Sequence, residues 1–130
     1  MVNWIAVLYG MIASFVLGLL SGIGLPFTDA TLPVIGYGLS GLIAGGVAGY
    51  YAAEGLSGGA LHGLLATTIG GIIVASVLTV FGALAAGLAG LGVGLAFFVI
   101  VLASGIPGAI GGATGGLLRP KSERIGQPTA

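Results

Sequence analysis

Few side chains in this 130-residue chain can do chemistry. It has three acidic residues, three basic residues, one histidine and no cysteine. Without cysteine, thiolate catalysis, disulfides and Cys-based metal sites are excluded. The pattern closest to a catalytic motif is Gly55-Leu56-Ser57-Gly58-Gly59, a Gly-x-Ser-x-Gly sequence with His62 just beyond it. In serine hydrolases such a serine sits on a strand-to-helix turn and needs a histidine base and an oxyanion hole. No strand is expected here. A histidine five residues further along the same helix meets the serine at a poor angle. The reading preferred for Ser57 is a helix N-cap, and no catalytic residue is expected. Gly36-Tyr37-Gly38-Leu39-Ser40-Gly41 matches the dinucleotide fingerprint, but it lacks the preceding strand and the acidic residue about 20 positions on. No cofactor is expected.

The remaining polar candidates are Glu54, His62 and Asp29. Ionisable groups deep in a membrane mark proton or ion pathways, yet between Gly63 and Leu118 nothing titrates. Glu54 and His62 fall at expected helix ends, where they read as interfacial residues of a short loop; a gate or proton relay is the sharper alternative. Two ligands are too few for a zinc site, so no metal is expected. The formal net charge is zero, and no nucleic-acid partner is expected.

The elements that would position these residues follow from composition. The chain is 57% hydrophobic and 5% charged, with a mean hydropathy of +1.22. Soluble domains carry about 25% charged residues, and membrane spans need about 20 apolar positions. The expected fold is all-α: a polytopic membrane protein, a four-helix transmembrane bundle with glycine-zipper packing. The transmembrane domain covers 1–118, with spans at about 3–25, 33–53, 60–81 and 88–118. Pro26 ends the first span and Pro33 suits the first position of the second. From Gly82 to Leu118 the uncharged run is too long for one upright span. The favoured path is a glycine-rich turn near Gly82 to Gly90 and one long helix kinked at Pro107. The other path is a span to about Ser104 followed by a separate re-entrant or interfacial helix.

All three basic residues, Arg119, Lys121 and Arg124, lie in the polar tail 119–130. The positive-inside rule places that tail in the cytoplasm. With four spans the N-terminus is cytoplasmic too, and Asp29 faces outside. Trp4, Tyr50, Tyr51 and Arg119 then share the cytoplasmic interface. The first apolar run lacks a basic n-region and is too long for a signal-peptide core, so it reads as a retained helix.

The strongest pattern is small residues at spacing four. Gly10, Ser14, Gly18 and Gly22 form one stripe; Gly41, Gly45 and Gly49 a second; Gly63, Thr67, Gly71 and Ala75 a third; Gly108, Gly112 and Gly116 a fourth. Lipid tails give helices no hydrophobic reason to associate, so small residues that permit close backbone contact take over that role. The stripes are expected to be packing faces, within one chain or between chains. Thr67, Thr68, Ser76, Thr79 and Ser104 are expected to bond helix carbonyls rather than line a pore.

Val2-Asn3-Trp4, Val16-Leu17-Gly18-Leu19-Leu20, the run from Gly41 to Tyr50, the run from Gly59 to Ala66 and the run from Ile106 to Ala113 together carry a resemblance. Over most of the first 118 residues the chain resembles the small multi-pass membrane proteins of halophilic archaea grouped as DUF5518. That resemblance implies a four-helix protein of a haloarchaeal plasma membrane or virion membrane, and no activity. The resulting expectation is a structural or interaction subunit that oligomerises, or docks on a larger assembly, through its glycine faces. Membrane lipid and further copies of the chain are its partners. A channel, holin-like pore or small-solute transporter is the alternative, and an intramembrane hydrolase centred on Ser57 the third.

Overall fold

The computed structural model describes residues 2–22 and 33–118, and these are all-α. The described residues form three helices: α1 (Trp4–Gly22), α2 (Pro33–Ala52) and α3 (Gly55–Leu118). Asn3 caps α1, its side-chain oxygen accepting from the amides of Ile5 at 3.1 Å and Ala6 at 3.4 Å. These are two of the donors that a helix start leaves without partners. α2 begins on Pro33, where a missing N–H costs nothing. It ends as Ala53 turns left-handed (φ 56), with the Ala53 amide still reaching the Gly49 carbonyl at 3.4 Å. Only Ala53 and Glu54 separate α2 from α3, and Gly55 (φ 75) completes the reversal.

α3 runs for 64 residues and is broken once, at Gly87 (φ 60, ψ −133). That backbone state is open essentially to glycine alone. The break lies within the 82–90 stretch and folds α3 into a hairpin of two arms, 55–86 and 88–118. Gly82 lies against Gly90, Gly94 against Thr79, and Gly71 against Val101, so the arms run antiparallel back to the turn. Each arm has about 30 residues and is roughly 45 Å long at 1.5 Å per residue. The second arm stays helical through Pro107 to Leu118, so the separate helix after Ser104 is not formed. The first arm starts at Gly55, not near Ala60. Ser57 therefore lies exposed inside its first turn and is not the N-cap.

The remaining contacts set the order of the rods. Gly10 of α1 meets Ala48 of α2 and Ala66 of the first arm, and Tyr9 stacks on Tyr51. Gly45 and Gly49 of α2 meet Gly108 and Gly112 of the second arm. α1 and the first arm thus run one way, and α2 and the second arm the other. The start of α1, the end of α2, the start of α3 and the end of α3 meet at one end.

Candidate functional site at the shared end of the helices

At the centre of this end the second arm presents Gly108, Gly112 and Gly116 to two neighbours at once. Gly108 faces Gly45 of α2 on one side, and Gly63 and Thr67 of the first arm on the other. Gly112 faces Gly49 together with Gly59 and Gly63, and Gly116 faces the backbone of Gly55 and Gly59. A Cβ on Gly45 would stand 2.8 Å from the Gly108 Cα, and one on Gly63 would stand 2.8 Å from the Gly112 Cα. Backbone touches backbone here, which only residues without side chains allow. Gly41 completes the α2 row, where a Cβ would stand 3.2 Å from the Ser104 carbonyl oxygen. Gly71 packs on the Val101 side chain, and Gly10 between Ala44, Ala48 and Ala66. Ser14 is half-buried. For Gly18 and Gly22 the surroundings lie outside the described residues, as do Asp29 and Arg119.

His62 is the one ionisable side chain in this core among the described residues. It is fully buried. Its Nε2 accepts from the Asn3 backbone amide at 2.7 Å, and its Nδ1 lies 2.7 Å from the Gly58 carbonyl one turn back. An amide N–H can only donate and a carbonyl can only accept. The geometry therefore fixes a neutral ring with the proton on Nδ1, donating to Gly58. Both nitrogens are committed, as burial demands, since an unpaired buried polar group costs about 1–3 kcal/mol. No lone pair is left to activate Ser57, which is exposed on the same helix. Glu54 is exposed in the link, with its side chain folded over Gly58. No group of three or more His, Cys, Asp or Glu gathers among the described residues.

Aromatic rings surround this end. Tyr9 and Tyr51 stack with centroids 4.6 Å apart, Tyr50 meets Tyr51 edge-on at 5.7 Å, and Trp4, the first residue of α1, is exposed. Hydroxyls along the helices turn to the carbonyls of their own helices. Thr67 bonds the Gly63 carbonyl, Ser76 that of Ile72, Thr79 that of Ala75, Ser104 that of Val101, and Thr114 that of Gly111.

A family model described as a family of unknown function, DUF5518, matches residues 4–118. The chain belongs to the DUF5518 family. No curated protein and no solved structure matches it.

In this DUF5518 protein two sets of close contacts went unread in the sequence. Gly111 and Gly115 lie against the backbone of Leu42 and Gly46 of α2, forming a second row beside the first. Gly59 closes on Gly112 and Gly116. The signal was available: the doublets Gly45-Gly46, Gly58-Gly59, Gly111-Gly112 and Gly115-Gly116 place glycines on two adjoining faces of one helix. The Asn3–His62 bond had no such signal, because it joins residues 59 positions apart.

Proposed function

We propose that this DUF5518 chain is a small multi-pass membrane protein that serves as a structural or interaction subunit and carries out no catalysis. The observation that supports it best is the placement of side chains by size. Glycine and alanine fill the inside, while Leu, Ile, Val and Phe cover the outside of every helix. The most apolar stretch of α3 has a mean hydropathy of 2.4 and is only 11% buried. A core helix of a water-soluble domain would be covered, and exposed apolar patches larger than a few hundred Å² are rare on soluble monomers. Lipid is the solvent that suits such a surface.

One part of the sequence expectation changes. The glycine faces of α2 and of both α3 arms close on each other within the chain, so they are not free for docking. Contacts with further copies, or with a larger assembly, would use the aliphatic outer faces. A channel, holin-like pore or small-solute transporter is the alternative reading, and the flux measurement below separates the two. Haloarchaeal plasma membrane or virion membrane remains the proposed location. The termini are placed in the cytoplasm by the basic tail, with Trp4, Tyr50 and Tyr51 at that interface, where amphipathic rings are favoured.

The experiment is expression with a C-terminal reporter, membrane fractionation and reconstitution. The chain is expected in the membrane pellet after an alkaline wash, with the reporter on the cytoplasmic side. In liposomes no ion or small-solute flux above empty vesicles is expected, and native mass spectrometry or cross-linking should give a defined oligomer or complex. Recovery as a soluble monomer would overturn the membrane reading, and sustained flux would favour the pore.

A further inference from the structure

Glycine contacts join α2 to the α3 hairpin, whereas α1 lies on it through Val7, Gly10 and Met11 in the middle, the Tyr9–Tyr51 stack, and the Asn3–His62 bond at its start. That bond has a property the packing contacts lack, because it exists for one charge state of the ring only. The neutral ring offers Nε2 as the acceptor for the Asn3 amide. The imidazolium carries N–H on both nitrogens, which would set an N–H donor against an N–H donor at 2.7 Å. Protonation and the Asn3 contact exclude each other, while the Nδ1 bond to Gly58 survives in both states.

We propose that His62 is a proton-sensitive latch that holds the start of α1 on the α3 hairpin when neutral and releases it when charged. Asn3 couples the two events, because the same residue caps α1 through Ile5 and Ala6. Once its amide is released and Asn3 withdraws, the cap goes with it, and the first turn of α1, with Trp4 and Ile5, frays into its surroundings. The latched state binds one proton fewer than the released state. Latching therefore strengthens as pH rises and is lost as pH falls, by up to about tenfold in the equilibrium per pH unit for a one-proton exchange. The other ionisable residues on the elements that meet here are Tyr9 on α1, Tyr50 and Tyr51 on α2, and Glu54 in the link; α3 carries none besides His62. Both ring nitrogens are accounted for by Asn3 and Gly58.

The test is an acid titration of the full ¹⁵N-labelled chain in detergent micelles. Histidine ring nitrogens report tautomer and charge, and amide exchange reports the latch. At high pH the ring should show the proton on Nδ1, with a slowly exchanging Asn3 amide. On acidification Asn3 and the first turn of α1 should lose protection, by about tenfold per pH unit, with the midpoint of His62 protonation, while the Gly10 and Met11 amides keep theirs. His62→Gln supplies a carbonyl acceptor without a titration, so its Asn3 amide should stay protected at every pH. Three results would overturn the proposal: a protected Asn3 amide opposite a charged ring, a ring that stays neutral until all helices unfold together, or loss of protection in His62→Gln at the same midpoint, which would put the titration on Glu54. The first two are read on the unmutated chain and stand even if the variant does not fold.

Discussion

Substituting Gly112→Ala puts one methyl group where three helices meet. A Cβ on Gly112 would stand 2.8 Å from the Gly63 Cα and 3.0 Å from the Gly59 carbonyl carbon, and nearer still to the Gly59 oxygen. These are backbone atoms, so no side chain can swing aside. The arms must part by about 1 Å to restore ordinary van der Waals separation. Overpacking of this kind costs about 1–3 kcal/mol. Alanine recovers up to about 1 kcal/mol of that through its better helix propensity. The expected net loss is about 1–2 kcal/mol, a five- to thirty-fold fall in the folded-to-unfolded ratio. Unfolding of the purified protein by SDS in mixed micelles, followed through the single tryptophan, Trp4, measures it. The control is Gly92→Ala: that position has nothing within 4 Å of its would-be Cβ, so it should be neutral or slightly stabilised. Equal stability of Gly112→Ala and the parent, or equal loss in both variants, would refute backbone-to-backbone packing as the basis of the core.

Three further substitutions probe the backbone and the caps. Gly87→Ala forces a side chain into φ 60, ψ −133, which costs of order 1–3 kcal/mol and should lower the SDS midpoint although the site has open space around it. Ala53→Gly relieves a left-handed alanine (φ 56) worth about 1–2 kcal/mol; after glycine's larger unfolded-state entropy is subtracted, a gain of about 0.5–1 kcal/mol should raise the same midpoint. Asn3→Ala removes the cap of Ile5 and Ala6 but leaves the backbone amide that meets His62. It should cost about 1 kcal/mol, read as faster amide exchange in the first turn of α1 with the His62 tautomer retained.

The helices were legible because each is announced locally. Asn3 precedes an apolar run, Pro33 opens the next, and Gly87 lies in a glycine-rich stretch between two others. The start of α3 was misplaced by five residues. Glycines at 55, 58 and 59 read as a loop by propensity, but each of Gly55, Gly59 and Gly63 is wanted on the helix face that meets Gly112 and Gly116; tertiary contact overrode propensity. Spacing four marked Gly45, Gly49, Gly108 and Gly112 as packing residues. It could not tell which stripe meets which, or that the second arm serves two partners. Of the two candidate polar residues among those described, Glu54 is exposed and His62 sits in the core. Its role depends on Asn3, whose backbone amide has no signature in the sequence.

The interior of this protein is small in the literal sense. Among the described residues its largest fully buried side chains are His62 and Val7, and the rest of its core is alanine, glycine, Val101 and Thr67. Burying Cβ atoms and bare backbone removes little apolar area from water, at about 25 cal/mol per Å². The large aliphatic side chains that would supply the driving force in water point outward, Leu84 at 79% and Leu88 at 89% exposure among them. In water such a chain would gain by turning inside out. In hydrocarbon the outward side chains cost nothing, amides in the helix interiors are paired within their own helix, and close contact between bare backbones becomes the strongest attraction left. Two substitutions therefore separate the two solvents. In lipid, Gly112→Leu should part the helices and leave them helical. Were water the solvent, an outward substitution midway along the second arm such as Leu102→Lys, at 62% exposure, should improve solubility without loss of the fold, and that result would remove the basis for the membrane assignment.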